Sequence, residues 1–228
     1  MGKNKMVPHV IIVGADKGGV GKTMISRTLL DYFGRRPDRN CRAIDTQVPG
    51  GILHRFVPDK CEIVDLARSD GQIRVFDTLK PDQVTIIDCQ AGSLTPTLRT
   101  LSTIGFLDNV KRGRLKITVL HVLGSTHASL EEIKTVSGLV DGAKHVLVKN
   151  HINEGSYLGL SDELRAAANG GVINIQKLDE LVADHVDRAG VLFDAFAKND
   201  VNSRVMRGYV NSWLDKVFAE YDSIRLSD

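Results

Sequence analysis

The feature that most constrains this chain is a glycine-rich loop between a short apolar strand and a helix. The loop follows the apolar residues 10–13 and reads Gly14-Ala15-Asp16-Lys17-Gly18-Gly19-Val20-Gly21-Lys22-Thr23. Glycines permit positive φ angles and let backbone amides approach an anion closely. The helix that begins near Lys22 adds the positive end of its dipole. A strand, a glycine-rich loop and a helix in this order predict a phosphate-binding loop.

Short apolar runs alternate with segments of helical spacing along most of the chain. Runs rich in β-branched residues occupy 10–13, 42–44, 84–87, 117–120, 146–148 and 172–175, and helical spacing occupies 22–33, 96–107, 129–140, 162–168 and 178–197, the last broken near Asp187. Continuous apolar runs are typical of strands buried on both faces. Together with the phosphate-binding loop, the pattern predicts an α/β fold of the P-loop NTPase type: a doubly wound, mostly parallel sheet with helices on both faces. Periodicity is weak over 49–81, where no element is predicted, and residues 1–228 are expected to form a single domain.

The last segment, about residues 201–224, has apolar residues at helical spacing. This amphipathic helix is expected to pack on the domain core. The alternative is a helix that lies in the plane of a membrane, which needs a strongly basic polar face. Here the basic residues are offset by acidic ones: Arg204, Arg207 and Lys216 against Asp215, Glu220 and Asp222. A membrane partner is therefore not expected.

The composition limits the cellular compartment and the partners expected for this protein. The 30 Lys and Arg against 28 Asp and Glu leave a net charge of +2, so nucleic-acid binding would need a local basic patch. The three cysteines are widely spaced, without a zinc-site pattern, which favours a reducing compartment. Neither a signal peptide nor an apolar run of about 18 residues is present. We expect a cytoplasmic protein.

The loop resembles the deviant Walker A motif of the ParA/MinD ATPases in the run Lys17-Gly18-Gly19-Val20-Gly21-Lys22-Thr23. The motif predicts ATP and Mg²⁺ as ligands. Residues 18–21 would cradle the phosphates, Lys22 would reach the β- and γ-phosphates, and the Thr23 hydroxyl would complete a Mg²⁺ shell. The resemblance implies that Lys17 reaches the phosphates of a partner subunit. ATP binding and formation of a homodimer would then be one coupled event.

Three further positions follow the order of the family along the chain. The resemblance implies that Asp45 positions the attacking water, although Gln47 replaces the second Asp of the usual Asp-x-Asp pattern. Asp88 ends an apolar strand and would hold Mg²⁺. Asn150 follows a strand and would contact adenine, because its amide both donates and accepts hydrogen bonds. Alternatively, Asp45 caps a strand end and Asn150 forms a turn.

The resemblance leads to three functional hypotheses. The first is a ParA-like ATPase that binds nonspecific DNA as an ATP dimer, positions or partitions cargo with a ParB-like or adaptor partner, and is nucleoid-associated. Its basic clusters are residues 111–116, the arginines at 35, 36 and 39, and Arg204 with Arg207. The second is a carboxylate-activating ligase of the dethiobiotin synthetase type, which would need a substrate pocket. The third is a MinD-like ATPase that cycles on membranes.

Overall fold

Seven parallel strands form one sheet in the computed structural model, which describes residues 6–36, 39–124, 126–152 and 157–228. The strands are β1 (His9–Gly14), β2 (Asn40–Asp45), β3 (Cys61–Ile63), β4 (Gln83–Asp88), β5 (Lys116–Val122), β6 (Lys144–Asn150) and β7 (Val172–Ile175). Their order across the sheet is β3-β2-β4-β1-β5-β6-β7, so β1 is the central strand. Since all of the pairings are parallel, every strand ends at the same edge of the sheet.

Helices cover both faces of this sheet. They are α1 (Lys22–Gly34), α2 (Ser69–Phe76), α3 (Leu94–Thr103), α4 (Asp108–Lys111), α5 (His127–Leu139), α6 (Asp162–Ala167), α7 (Glu180–Ala189), α8 (Phe193–Lys198) and α9 (Arg204–Ser223), with a 3₁₀ turn at His54–Phe56. Alternate side chains of β1 enter different cores, because successive residues of a strand point to opposite faces. Ile11 and Val13 pack with α1, α8 and α9, whereas Val10 and Ile12 pack with α2, α3 and α5. The predicted fold class is confirmed.

Several element boundaries differ from those expected from the sequence. The segment 49–81, for which no element was predicted, contains β3, α2 and the 3₁₀ turn. The helix expected over 96–107 ends at Thr103, and Gly105 in the turn before α4 has a φ of 68°. The helix expected over 178–197 is interrupted at Gly190, which has a φ of 64°, rather than near Asp187. In both places a left-handed glycine ends a helical turn, as glycine does at no steric cost.

Helix α9 packs on the same face of the sheet as α1 and α8. The Trp213 indole Nε1 donates a hydrogen bond to the Gln176 carbonyl at 2.6 Å. The Tyr221 hydroxyl lies 2.7 Å from Thr28 Oγ1, and its ring contacts the Tyr32 ring edge-on. These contacts leave the apolar face of α9 inside the core. Among the described residues, no helix has the length and apolar character needed to cross a membrane.

We predict that truncating the buried face of α9 destabilises the whole domain. Leu214 is fully buried, and Leu214→Ala is expected to lower the free energy of unfolding by about 2–5 kcal/mol because it leaves a cavity. Val205 lies on the same helix but is 68% exposed, so Val205→Ala is the matched control and should stay within about 0.5 kcal/mol of wild type. Denaturant unfolding measures both. Equal, small effects of the two substitutions would contradict the packing described for α9.

Candidate nucleotide-binding site

The glycine-rich loop lies at the carboxyl edge of the sheet, at its centre. It leaves β1 at Gly14 and enters α1 at Lys22. The chain leaves β1 toward β2 on one side of the sheet and later enters β5 on the other, and ligands of open α/β sheets bind at such a switch point. Gly19 and Gly21 have φ angles of 75° and 91°, which side chains disfavour. The loop therefore has the backbone shape and the position of a phosphate site.

The two loop lysines occupy different places. The Lys22 ammonium folds over the loop and donates a hydrogen bond to the Lys17 carbonyl at 2.8 Å. Burial lowers the pKa of Lys22, while the nearby Asp88 carboxylate raises it. The Lys17 side chain is exposed to solvent. One lysine thus folds over its own loop, and the other is exposed to solvent.

Asp88 connects the end of β4 to the first turns of α1. Its Oδ2 accepts a hydrogen bond from Thr23 Oγ1 at 2.7 Å, and its Oδ1 accepts one from Ser26 Oγ at 3.0 Å. Burial raises the pKa of Asp88 to about 7, and the Thr23 hydrogen bond opposes this shift. Ser26 was not singled out in the sequence, although it lies three residues after Thr23 and so shares its helix face.

The Thr23 and Asp88 oxygens fit the predicted metal. Mg²⁺ takes hard oxygen ligands and usually keeps several waters while bound by one or two protein groups and the substrate phosphates. The hydroxyl and the carboxylate meet at the mouth of the loop, where such a shell would form. Within the described residues, no group of three or more His, Cys, Asp or Glu side chains could hold a metal ion.

Asp45 is turned toward the backbone that follows β2. Its Oδ1 accepts a hydrogen bond from the Gln47 amide at 3.0 Å, and its Oδ2 accepts from the Leu53 and His54 amides at 2.7 and 3.3 Å. The residue is 2% exposed, and a Cβ on Gly51 would lie 2.6 Å from Oδ2. The carboxylate therefore fixes the path of residues 46–54.

Thr46 links the ends of β2 and β4. Its hydroxyl accepts a hydrogen bond from the Gln90 amide at 2.8 Å and donates one to the Asp88 carbonyl at 3.3 Å. These bonds hold the segment that follows Asp88 against the end of β2. Thr46 is not predicted from the sequence, since a single threonine after a strand is not distinctive.

Asn150 lies beneath the loop. Its Nδ2 donates a hydrogen bond to the Val20 carbonyl at 2.9 Å, and the residue is 3% exposed. Its backbone carbonyl accepts a hydrogen bond from the Tyr157 hydroxyl at 2.8 Å. Oδ1 is buried without a hydrogen-bond partner in the described part of the chain. These contacts support the loop from below, and the adenine contact stays a prediction.

A cavity of about 480 Å³ opens between the loop and the ends of β2 and β4. It brings together most of the residues predicted for the site, whereas Lys17, Val20 and Asn150 are outside the described lining. The lining residues are Gly18, Gly19, Gly21, Lys22, Thr23, Asp45, Gln47, Ile52, Asp88, Cys89, Gln90 and Ala91. This cavity offers amide donors, one ammonium group, a hydroxyl and two carboxylates, a set that includes the groups that a nucleoside triphosphate with Mg²⁺ requires.

We predict that Gly21 tolerates no side chain. A Cβ there would lie 2.1 Å from Asn150 Nδ2, and the φ of 91° is itself unfavourable for alanine. Gly21→Ala is expected to lower the free energy of unfolding by at least about 1–3 kcal/mol. Gly18→Ala is the control, because a Cβ at Gly18 meets no atom within 4 Å and its effect should stay within about 1 kcal/mol. Denaturant unfolding without nucleotide compares them, and equal stabilities would argue against the loop geometry.

Comparison with known proteins gives limited sequence similarity. Profiles of known protein families find no match. Protein MobD of Acidithiobacillus ferrooxidans is 27% identical over 156 residues, which cover 65% of this chain and 66% of that protein. The match thus spans a little less than two thirds of that relative.

Solved structures give a similarity of fold. A ParA family ATPase from Chlorobium tepidum superposes with a TM-score of 0.52 and 15% identity, covering 91% of this chain and 98% of that protein. A nucleotide-binding protein from Archaeoglobus fulgidus, solved with ADP, superposes with a TM-score of 0.52 and 16% identity. The superposition covers 81% of this chain and 87% of that protein. This chain therefore has the fold of the ParA-type P-loop proteins, as its loop motif predicted.

Proposed function

We propose that this chain is an ATP-dependent molecular switch of the ParA type, which dimerises on ATP, binds nonspecific DNA and is reset by hydrolysis. A ParB-like or adaptor partner would stimulate that reset and connect the switch to a cargo. The observation that carries the proposal is the division between the two loop lysines. Lys22 folds over its own loop, while Lys17 is exposed at the same loop and free to enter the site of a second subunit.

Binding and hydrolysis would use the described contacts in a simple order. Backbone amides of the loop would take the phosphates, and the Lys22 ammonium would exchange the Lys17 carbonyl for a phosphate oxygen. Thr23 and Asp88 would hold Mg²⁺, which supplies neutralisation of phosphate charge. Positioning and charge neutralisation would supply most of the rate enhancement. Slow turnover is expected, because the site offers few groups that can assist the attacking water.

Within the described residues, ion pairing leaves two arginines unpaired in one of the three predicted basic clusters, residues 111–116, although Lys111 of that cluster pairs with Asp141. In the cluster on α9, Arg207 pairs with Asp200 and Arg204 alone is unpaired. Arg35 pairs with Asp194 at 2.7 Å, and Arg36 with Asp222 at 3.1 Å. In contrast, Arg112 and Arg114 are exposed, and neither forms an ion pair within the part of the chain that the structure describes. They directly precede β5, at the amino edge of the sheet and opposite the glycine-rich loop. We therefore place the DNA-contacting surface at Arg112 and Arg114.

The ligase hypothesis finds less support. A groove of about 250 Å³ adjoins the nucleotide cavity and shares Gln90 with it. Its described lining is Thr46, Asp65, Leu66, Ala67, Gln90, Ser93, Pro96, Thr97 and Thr100. That lining contains no Lys or Arg, whereas a carboxylate substrate is held best by a charge-assisted hydrogen bond. Asp65 would repel it.

The MinD-like hypothesis is also less supported. An in-plane anchor must present the apolar face of its helix to lipid. Val210, Leu214 and Tyr221 of α9 are fully buried in the domain. The face that a membrane would need is already used by the protein core.

The proposed switch predicts how nucleotide changes the oligomeric state. With Mg²⁺ and a slowly hydrolysed ATP analogue, wild type is expected to change from monomer to dimer, whereas with ADP it should stay monomeric. Lys17→Ala should remain monomeric with either nucleotide, because the charge that reaches the partner's phosphates is lost. Size-exclusion chromatography with light scattering measures this. Analogue binding by Lys17→Ala at normal affinity is the control, and a dimer that ignores nucleotide would contradict the switch.

The proposed switch also predicts which arginines contribute to DNA binding. The double substitution Arg112→Ala/Arg114→Ala should weaken binding of the analogue-loaded protein to random duplex DNA and reduce the salt dependence of that affinity. Each lost phosphate contact lowers the slope of log affinity against log salt by about 0.9. The matched control, Arg35→Ala/Arg36→Ala, removes the same charge from an ion-paired cluster and should leave the slope unchanged. The reverse ranking would move the DNA surface to the other cluster.

A further inference from the structure

Asp45 has little capacity left to hold a water molecule. A carboxylate offers about four lone-pair sites, and the carboxylate of Asp45 accepts three backbone hydrogen bonds of 2.7–3.3 Å. Two of its donors, Leu53 and His54, belong to a chain segment that returns to β2 after a turn. Redirecting the carboxylate toward a phosphate would leave those amides unpaired. The residue is suited to hold the loop 46–54 in place.

Gln47 has the opposite character. Both residues line the cavity that contains Lys22, Thr23 and Asp88, but Gln47 is half-buried, whereas Asp45 is almost fully buried. Its backbone amide is anchored on Asp45 Oδ1 at 3.0 Å. Its side-chain amide makes no hydrogen bond to any other residue that the structure describes. The main chain at this position is therefore fixed while the side chain remains available.

We propose that Gln47 is the catalytic residue that orients the attacking water, and that Asp45 is a positioning residue that holds Gln47 in place. This inference rests on the proposed hydrolysis of ATP. The Gln47 Oε1 would accept a hydrogen bond from the water, and Nε2 would donate one to a γ-phosphate oxygen.

The chemical step balances without a protein base. The water oxygen forms a bond to the γ-phosphorus as the bond from that phosphorus to the β–γ bridging oxygen breaks, giving ADP and inorganic phosphate. The proton of the water passes to a phosphate oxygen or to solvent, since a neutral amide does not accept it. Gln47 thus contributes orientation alone.

Gln90 is the alternative glutamine at the cavity. Its backbone is held by Thr46, but the residue is exposed and lies where the cavity meets the adjoining groove. An exposed amide loses more rotamer freedom when it orders a water than a half-buried one does. Gln90→Ala is therefore the competing variant in the test of Gln47.

The test compares Gln47→Ala, Gln90→Ala and Asp45→Asn with wild type in the full chain. Three quantities are measured: single-turnover hydrolysis of ATP with Mg²⁺, affinity for a slowly hydrolysed fluorescent ATP analogue, and the thermal unfolding midpoint. Gln47→Ala should slow hydrolysis by about 100-fold, the scale of one preorganised polar group. Its analogue affinity should stay within about 3-fold of wild type and its unfolding midpoint should not change. Gln90→Ala should slow hydrolysis less than Gln47→Ala does, and the reverse ranking would overturn the assignment.

Asp45→Asn should lower the unfolding midpoint and weaken both binding and hydrolysis, because an amide nitrogen cannot accept from the backbone donors. Slow hydrolysis by Asp45→Asn with normal affinity and stability would overturn the assignment, as would normal hydrolysis by Gln47→Ala. The proposed function fails in a different way. In that case wild type itself binds the analogue but does not hydrolyse ATP, or binds no nucleotide.

Discussion

The buried carboxylate of Asp88 is the group on which the rest of the site depends. It accepts hydrogen bonds from Thr23 and Ser26 of α1, so it fixes the helix that follows the loop against the central strands. Its backbone carbonyl accepts from Thr46 and thereby ties the end of β2 to the same point. Burial raises the pKa of this group to about 7, and the two hydroxyl donors oppose that cost of desolvation. A bound cation would further favour its charged form, which links the proposed metal to the packing of the site.

The central part of the fold could be predicted from sequence because its signals are local. The apolar runs of β1, β4, β5 and β6 are continuous, and the glycine-rich loop requires its own backbone shape. β3 gives no such signal, since it is three residues long and lies at the edge of the described sheet, beside β2. The break at Gly190, by contrast, has a local cause, since a left-handed glycine ends α7. Short edge strands are fixed by packing more than by propensity.

The site could be predicted in its residues but not in all of their roles. The loop motif identified Lys22 and Thr23, and the apolar strand that ends at Asp88 identified that carboxylate. The structure brings all three together around one cavity. The orientation of Asp45 could not be foreseen, because it depends on where Leu53 and His54 return to the sheet. The side chain of Asn150 points under the loop, where Gly21 leaves the space that it fills. In both cases a polar side chain satisfies nearby backbone, which no spacing rule reports.

The availability of surface arginines likewise depends on acidic residues that are distant in the sequence. The arginines at 35 and 36 form a basic cluster in sequence, but acidic residues from α8 and α9, more than 150 positions away, neutralise them. Arg112 and Arg114 have no acidic partner among the described residues, and they lie at the amino edge of the sheet, opposite the nucleotide cavity. A conformational change at the phosphate loop would therefore have to cross the whole sheet to reach this surface. In the proposed switch, nucleotide would control DNA binding by joining two such surfaces in one dimer, because two linked weak sites bind a polymer far more tightly than either alone. Hydrolysis would then release DNA by separating the subunits and without altering the surface itself.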